Sequence, residues 1–128
     1  MKKILIIDDD EGLRLVITQA LSSHLACEVV TANDAVSGIA TLQGQSFDLV
    51  ITDLSMPAKK LAGRNYHLEG LEVIKAVKQL PQPTKVALFS GTVSHEVRDH
   101  AMNLSVDCIL HKPLDFEDLI HAVKAMLA

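Results

Sequence analysis

The sequence predicts an α/β fold in which a doubly wound parallel sheet carries helices on both faces, and three features predict it. Short apolar runs alternate with segments of helical period, the pattern of repeated βαβ units. The first run, Ile4-Leu5-Ile6-Ile7, is apolar at every position, so it needs cover on both faces. The runs give way to charged or polar residues, and the carboxyl ends of parallel strands are where such sheets hold their ligands.

Strands are expected at residues 3–8, 28–32, 48–52, 85–89 and 107–110. After the first, Leu13, Val16, Ile17, Ala20, Leu21 and Leu25 recur at steps of three and four, as one buried helical stripe requires. Weaker stripes follow at Val36, Ile39 and Ala40, at Leu71, Ile74 and Val77, and at Val97, Ala101 and Leu104. The last helix repeats the pattern strongly with Phe116, Leu119, Ile120, Val123 and Leu127. Five helices therefore follow five strands, in one domain over residues 1–128. No repeat or linker interrupts it, and the fifth helix leaves no residues for an output domain. One stretch breaks the rhythm. Residues 56–70 are long for a βα loop, which usually takes about 2 to 6 residues, and they carry Lys59, Lys60, Arg64 and His67. The choice there is between a partner-docking or lid segment and variable surface.

At 128 residues the chain is large enough to bury one full core, roughly two-thirds of the surface of the unfolded chain. Hydrophobic residues make up 48% and charged residues 22%, an ordinary globular balance. With 16 acids against 12 lysines and arginines the net charge is −4, which offers no footprint for nucleic acid or an anionic membrane. Partners are expected to be proteins or small ions. No run approaches the ~20 apolar residues of a membrane span, and a cytoplasmic location is expected. Cys27 and Cys108 are far apart and unpatterned, as buried thiols in a reducing compartment are. His95 and His100 lie five apart, about 140° around a helix, so they cannot chelate one metal. The Asp8-Asp9-Asp10 run lacks the EF-hand spacing, and no P-loop or nucleophile elbow is present.

Asp8 and Asp9 end the first strand, Asp53 the third and Ser90 the fourth, and Lys112 follows the fifth. If the first and third strands are neighbours, three carboxylates and a lysine converge. Two unit charges ~4 Å apart interact by about 4 kcal/mol at an effective dielectric of 20, so three ionised carboxylates in one cleft need a compensating cation or a proton. Mg²⁺ suits hard oxygen ligands and is usually held by one or two carboxylates, with waters and phosphate oxygens completing its sphere. Lys112 adds a movable point charge suited to phosphate. A carboxylate in such a site can attack phosphorus to give an aspartyl phosphate, with catalysis resting on positioning and charge neutralisation.

Four segments now align: Asp8-Asp9 after ILII, DLVITDLSMP from Asp48, ALFSG from Ala87, and HKP from His111. In order and spacing they resemble the receiver domain of two-component response regulators over essentially the whole chain, apart from the longer loop after Pro57. The resemblance implies a flavodoxin-like strand order 2-1-3-4-5, with Asp53 as phosphoacceptor and Asp9 as a direct Mg²⁺ ligand. Asp8 would act largely through a metal-bound water, and the carbonyl of Ser55 would complete the protein's share of the metal sphere. Ser90 would be the hydroxyl that swings to the phosphoryl group, Lys112 would contact it, and the Lys112-Pro113 bond would be cis. Asp10 is left to cap the first helix. A sensor histidine kinase or phosphotransfer protein and a downstream protein target would be the partners. A homodimer would use the face of the fourth helix, fifth strand and fifth helix. Because such domains only catalyse their own phosphorylation and slow hydrolysis, the label enzyme would mislead.

Departures from the pattern matter as well. Ile109 occupies a position that is usually aromatic, and Ser105 one that is often glycine, a change that costs little if its backbone avoids positive φ. Ile109 and the basic loop motivate an alternative, a receiver-fold docking module that needs no phosphate. A metal-dependent phosphatase using Asp53 would need a second acid where Ser55 stands.

Overall fold

Consecutive apolar residues of β1 (Lys2–Ile7) divide between the two faces of the sheet, and this division organises the molecule. The computed structural model describes residues 1–54, 69–91, 95–113 and 115–128. Ser55 and the basic residues Lys59, Lys60, Arg64 and His67 lie outside the described residues. After β1 come α1 (Glu11–His24), β2 (Cys27–Ala32), α2 (Ala35–Gly44) and β3 (Leu49–Asp53). α3 (Glu69–Lys78), β4 (Lys85–Ser90), α4 (His95–Asn103), β5 (Cys108–His111) and α5 (Phe116–Leu127) complete the order. The strands pair in parallel in the order β2-β1-β3-β4-β5, as the resemblance implied.

Ile4 and Ile6, with Ile51 and Phe89, face the layer of α1 and α5, where Ile17, Leu21, Leu119 and Val123 cover them. Leu5 and Ile7, with Val50 and Leu88, face the layer of α2, α3 and α4 through Leu42, Leu71, Ile74 and Ala101. Both faces of β1 are thus closed, which is why every position of its apolar run is fully buried. Cys27 and Cys108 begin the two edge strands, at opposite edges of the sheet, each a free thiol whose pKa burial pushes up.

Several details differ from the sequence expectation. Val16 is 41% exposed, so the buried stripe of α1 is narrower and centres on Ile17 and Leu21. In α2, Val36 and Ala40 point to solvent and the buried residues are Ala35, Gly38 and Leu42. Close packing explains this phase: a Cβ on Gly38 would collide with the Ile7 side chain, so the helix turns its glycine toward the strand. Phe116, on the first turn of α5, is also largely exposed. Glu69 and Gly70 belong to α3 rather than to the preceding loop. Where the chain leaves α4 and the Val106 amide bonds back to the Ala101 carbonyl at 3.1 Å, Ser105 adopts φ 65°, so the condition under which replacing glycine costs little is not met.

Candidate functional site

Strand register brings the candidate residues to one rim of the sheet. Ile7 lies opposite Thr52, so Asp8, just past β1, and Asp53, the last residue of β3, are neighbours. Asp53 opposes Phe89, and Ser90 opposes His111, which sets Ser90 and Lys112 beside the acids at the same rim. One carboxylate oxygen from each of Asp8, Asp9 and Asp53 lies within 4.8 Å of the others. The Lys112 ammonium stands 3.6 Å from Asp8 Oδ2 and 3.5 Å from Asp53 Oδ1. Asp8, Asp53 and Ser90 are buried, Asp9 is half-buried, and the lysine side chain is 31% exposed.

Local hydrogen bonds explain how three consecutive acids take different directions. The Asp8 amide still donates to Ala32 O at 3.1 Å, extending the β1 ladder by one residue. Asp8 Oδ1 accepts from the Asp10 amide at 2.9 Å, and Arg14 Nη1 donates to the Asp8 carbonyl at 2.6 Å. Asp10 turns away as the N-cap of α1, its Oδ1 accepting from the Leu13 amide at 3.1 Å. On the opposite side, the Lys112 amide donates to Ser90 O at 3.0 Å and the Lys112-Pro113 bond is cis, as expected. The ammonium also lies 5.1 Å from the centre of the Phe89 ring.

α3 closes the rim by direct backbone contact. The Gly70 amide donates to Leu54 O at 3.0 Å, and a Cβ at Gly70 would lie 2.5 Å from the Asp53 carbonyl oxygen and 2.6 Å from Leu54 Cα. Only glycine lets the helix start so close to the residue that ends β3. Beside it, Glu69 is 3% exposed, and neither of its carboxylate oxygens has a hydrogen-bond partner among the described residues.

Among the described residues, charge is under-compensated here. Burial pushes the Asp8 carboxyl above its ordinary pKa, opposed by the Asp10 amide and Lys112 and reinforced by Asp9 and Asp10. Glu69 is raised as well, by burial first and then by the charges of Asp34 and Asp9. The one ammonium that the described residues bring to the cluster, shared between Asp8 and Asp53, cannot neutralise three carboxylates. Clustered hard oxygens with a raised carboxyl among them fit a small divalent cation such as Mg²⁺. Among the described residues they are the one such group of three metal-ligating side chains.

Asp8, Asp9, Asp53, Ser90 and Lys112 thus sit at one rim, whereas Ser55 lies outside the described residues. Ile109 is half-buried opposite Leu88 and packs on the layer that contains α4. The sequence reading missed Arg14, Glu69 and Gly70. An acid-glycine pair just before the Leu71-Ile74-Val77 stripe was the available signal for the last two. A contact of Arg14 to a backbone carbonyl leaves no pattern in sequence.

The family model described as response regulator receiver domain matches residues 4–124. Among curated proteins, the transcriptional regulatory protein CpxR of Escherichia coli (strain K12) is 29% identical over 99% of this chain and 50% of its own length. A probable chemotaxis protein CheY of Rhizobium etli is 27% identical over 97% of this chain and 91% of its own. The chain spans about half the length of the transcriptional regulators it matches, 52% and 50% for the first two. Among solved structures, the chemotaxis response regulator CheY4 of Vibrio cholerae superposes with a TM-score of 0.83 at 27% identity, covering 99% of both chains.

Proposed function

The chain belongs to the response regulator receiver domain family, and from that premise we propose that it accepts a phosphoryl group on Asp53 and uses the added charge to switch a protein interaction. The donor is the phosphohistidine of a sensor kinase or phosphotransfer protein, the site works with Mg²⁺, and the setting is the cytoplasm. The observation that carries this reading is the Lys112 ammonium between Asp8 and Asp53, with Asp9 in the same cluster.

Asp53 supplies the attacking oxygen. A new P–O bond forms as the P–N bond of the donor breaks, and that electron pair returns to the ring nitrogen; with its other ring nitrogen protonated, the group leaves as neutral imidazole. Asp8, Asp9 and Asp53, with the Ser55 carbonyl, are the groups that would hold Mg²⁺. When bound, the cation offsets the negative charge shared by carboxylate and phosphoryl oxygens. Lys112, already within reach of an Asp53 oxygen, follows the charge onto the phosphoryl group, and the buried Ser90 hydroxyl donates to it. Movement of those two side chains couples the rim to β4 and β5, so a partner reads the surface they share with α4 and α5, and a second copy of the chain can use the same face. Transfer and slow hydrolysis are self-catalysed, so the domain is a switch rather than a turnover enzyme.

Ile109 favours a second reading, a docking module indifferent to phosphate, because no aromatic ring stands at this position to follow Ser90 inward. Partner affinity separates the two, since phosphorylation changes it only under the first. The direct test is to add beryllofluoride with Mg²⁺ and record amide NMR spectra. Shifts centred on residues near Asp53 are expected for the wild type and none for Asp53→Asn; an unresponsive wild type would sink the phosphoacceptor reading.

A further inference from the structure

We propose that Glu69 is a positioning residue of this acidic pocket, a fourth carboxylate that acts on the cation from the start of α3 through the cation's water shell. The inference rests on the Mg²⁺ reading above and extends it to a residue outside the three-carboxylate cluster.

Glu69 is enclosed, at 3% exposure, yet both its oxygens lack hydrogen-bond partners among the described residues. Buried carboxylates are paired or coordinated almost without exception, because an unpaired one forfeits its hydration. Its helix cannot swing it away, since Gly70 is seated against the Asp53 carbonyl and Leu54. The nearby charges acting on it, those of Asp34 and Asp9, are both negative. Asp34 is committed elsewhere: its Oδ1 caps α2, accepting from the Ser37 amide at 2.7 Å and the Ser37 hydroxyl at 2.8 Å. Lys112 is engaged with Asp8 and Asp53. Among the described residues no donor or cationic side chain is left for Glu69, which leaves the pocket's own cation to satisfy it. Glu69 does not supply one of the oxygens that lie within 4.8 Å of one another, so the role proposed for it is in the cation's water shell and not direct ligation. Mg²⁺ keeps several of its waters in protein sites, and such outer groups commonly govern affinity about 10- to 100-fold.

The test is calorimetric titration with MgCl₂ of the wild type, Glu69→Gln and the next acid of α3, Glu72→Gln, together with melting curves without metal. Glu69→Gln should weaken Mg²⁺ binding about tenfold and raise the metal-free melting temperature, because an unpaired buried charge is gone. Glu72→Gln should bind like the wild type. Equal affinity for Glu69→Gln and wild type overturns the proposal while leaving the three-carboxylate site intact. So does equal weakening by both variants, and so does a Glu69→Gln protein that cannot fold without metal. A wild type that does not bind Mg²⁺ overturns this inference and the cation reading together.

Discussion

The two rims of the sheet use aspartate in opposite ways. At the amino-terminal rim, Asp48 Oδ2 accepts from the Lys3 amide at 2.8 Å. Asp107 Oδ2 accepts from the Val86 amide at 2.8 Å and from Lys78 Nζ at 3.1 Å, with Lys85 Nζ 3.9 Å from Oδ1. Each of these carboxylates ties a strand entrance to its neighbour and has donors to meet its charge. At the carboxyl-terminal rim, Asp8 and Asp53 pair with Lys112 while Asp9 joins the same cluster, burial raises the pKa of the Asp8 carboxyl, and Glu69 is buried without a hydrogen bond among the described residues. Side-chain chemistry is the same at both ends. Among the described residues, the supply of donors makes one rim a fastener and leaves the other short of positive charge.

Removing a fastener should give the largest change in stability. Asp107→Ala strands the buried Val86 amide and removes a charge-assisted contact, so chemical denaturation should report a loss of about 1.5–3 kcal/mol, with beryllofluoride binding unchanged. If binding also changes, the rims are coupled and the comparison breaks.

A smaller effect of opposite character is expected from Asp8. Its folded carboxyl lies above the ordinary value of 3.8, so the folded state holds that proton more tightly than the unfolded chain. The resulting stabilisation is complete below 3.8 and is lost as pH rises through the raised folded value. Urea unfolding over that range without Mg²⁺ should therefore show a decline in the wild type that is flattened in Asp8→Asn. A parallel pH dependence in the two proteins would remove Asp8 from the poised set. The smallest effect lies at neither site. Ser105→Gly relieves a left-handed residue and should add about 1 kcal/mol without altering binding.

Features fixed by local chemistry could be read directly from the residues. An apolar run with no polar face announced β1, and acids at strand ends announced the site once the neighbour relation of the first and third strands was granted. Asp10 as a helix cap also followed from position. Features set by close approach between distant segments could not be read this way. The phase of α2 depends on Ile7 pressing against Gly38, and the start of α3 depends on the Asp53 carbonyl pressing against Gly70. The sign of φ at Ser105 is set by how the chain turns from α4 into β5, and Arg14 reaches a carbonyl six residues back that no periodicity marks. Val16 and Val36 fit their stripes by spacing, yet the faces they occupy have nothing to cover them among the described residues.

The central claim concerns which rim does the chemistry, and site mapping of the phosphoryl group tests it most directly. The protein is incubated with a small phosphodonor and Mg²⁺, the acyl phosphate is reduced with borohydride, and the modified peptide is sequenced by mass spectrometry. The account predicts modification at Asp53, dependent on Mg²⁺ and reduced when Lys112 is replaced by alanine. Modification at Asp48 or Asp107, or none in the presence of Mg²⁺, would contradict it.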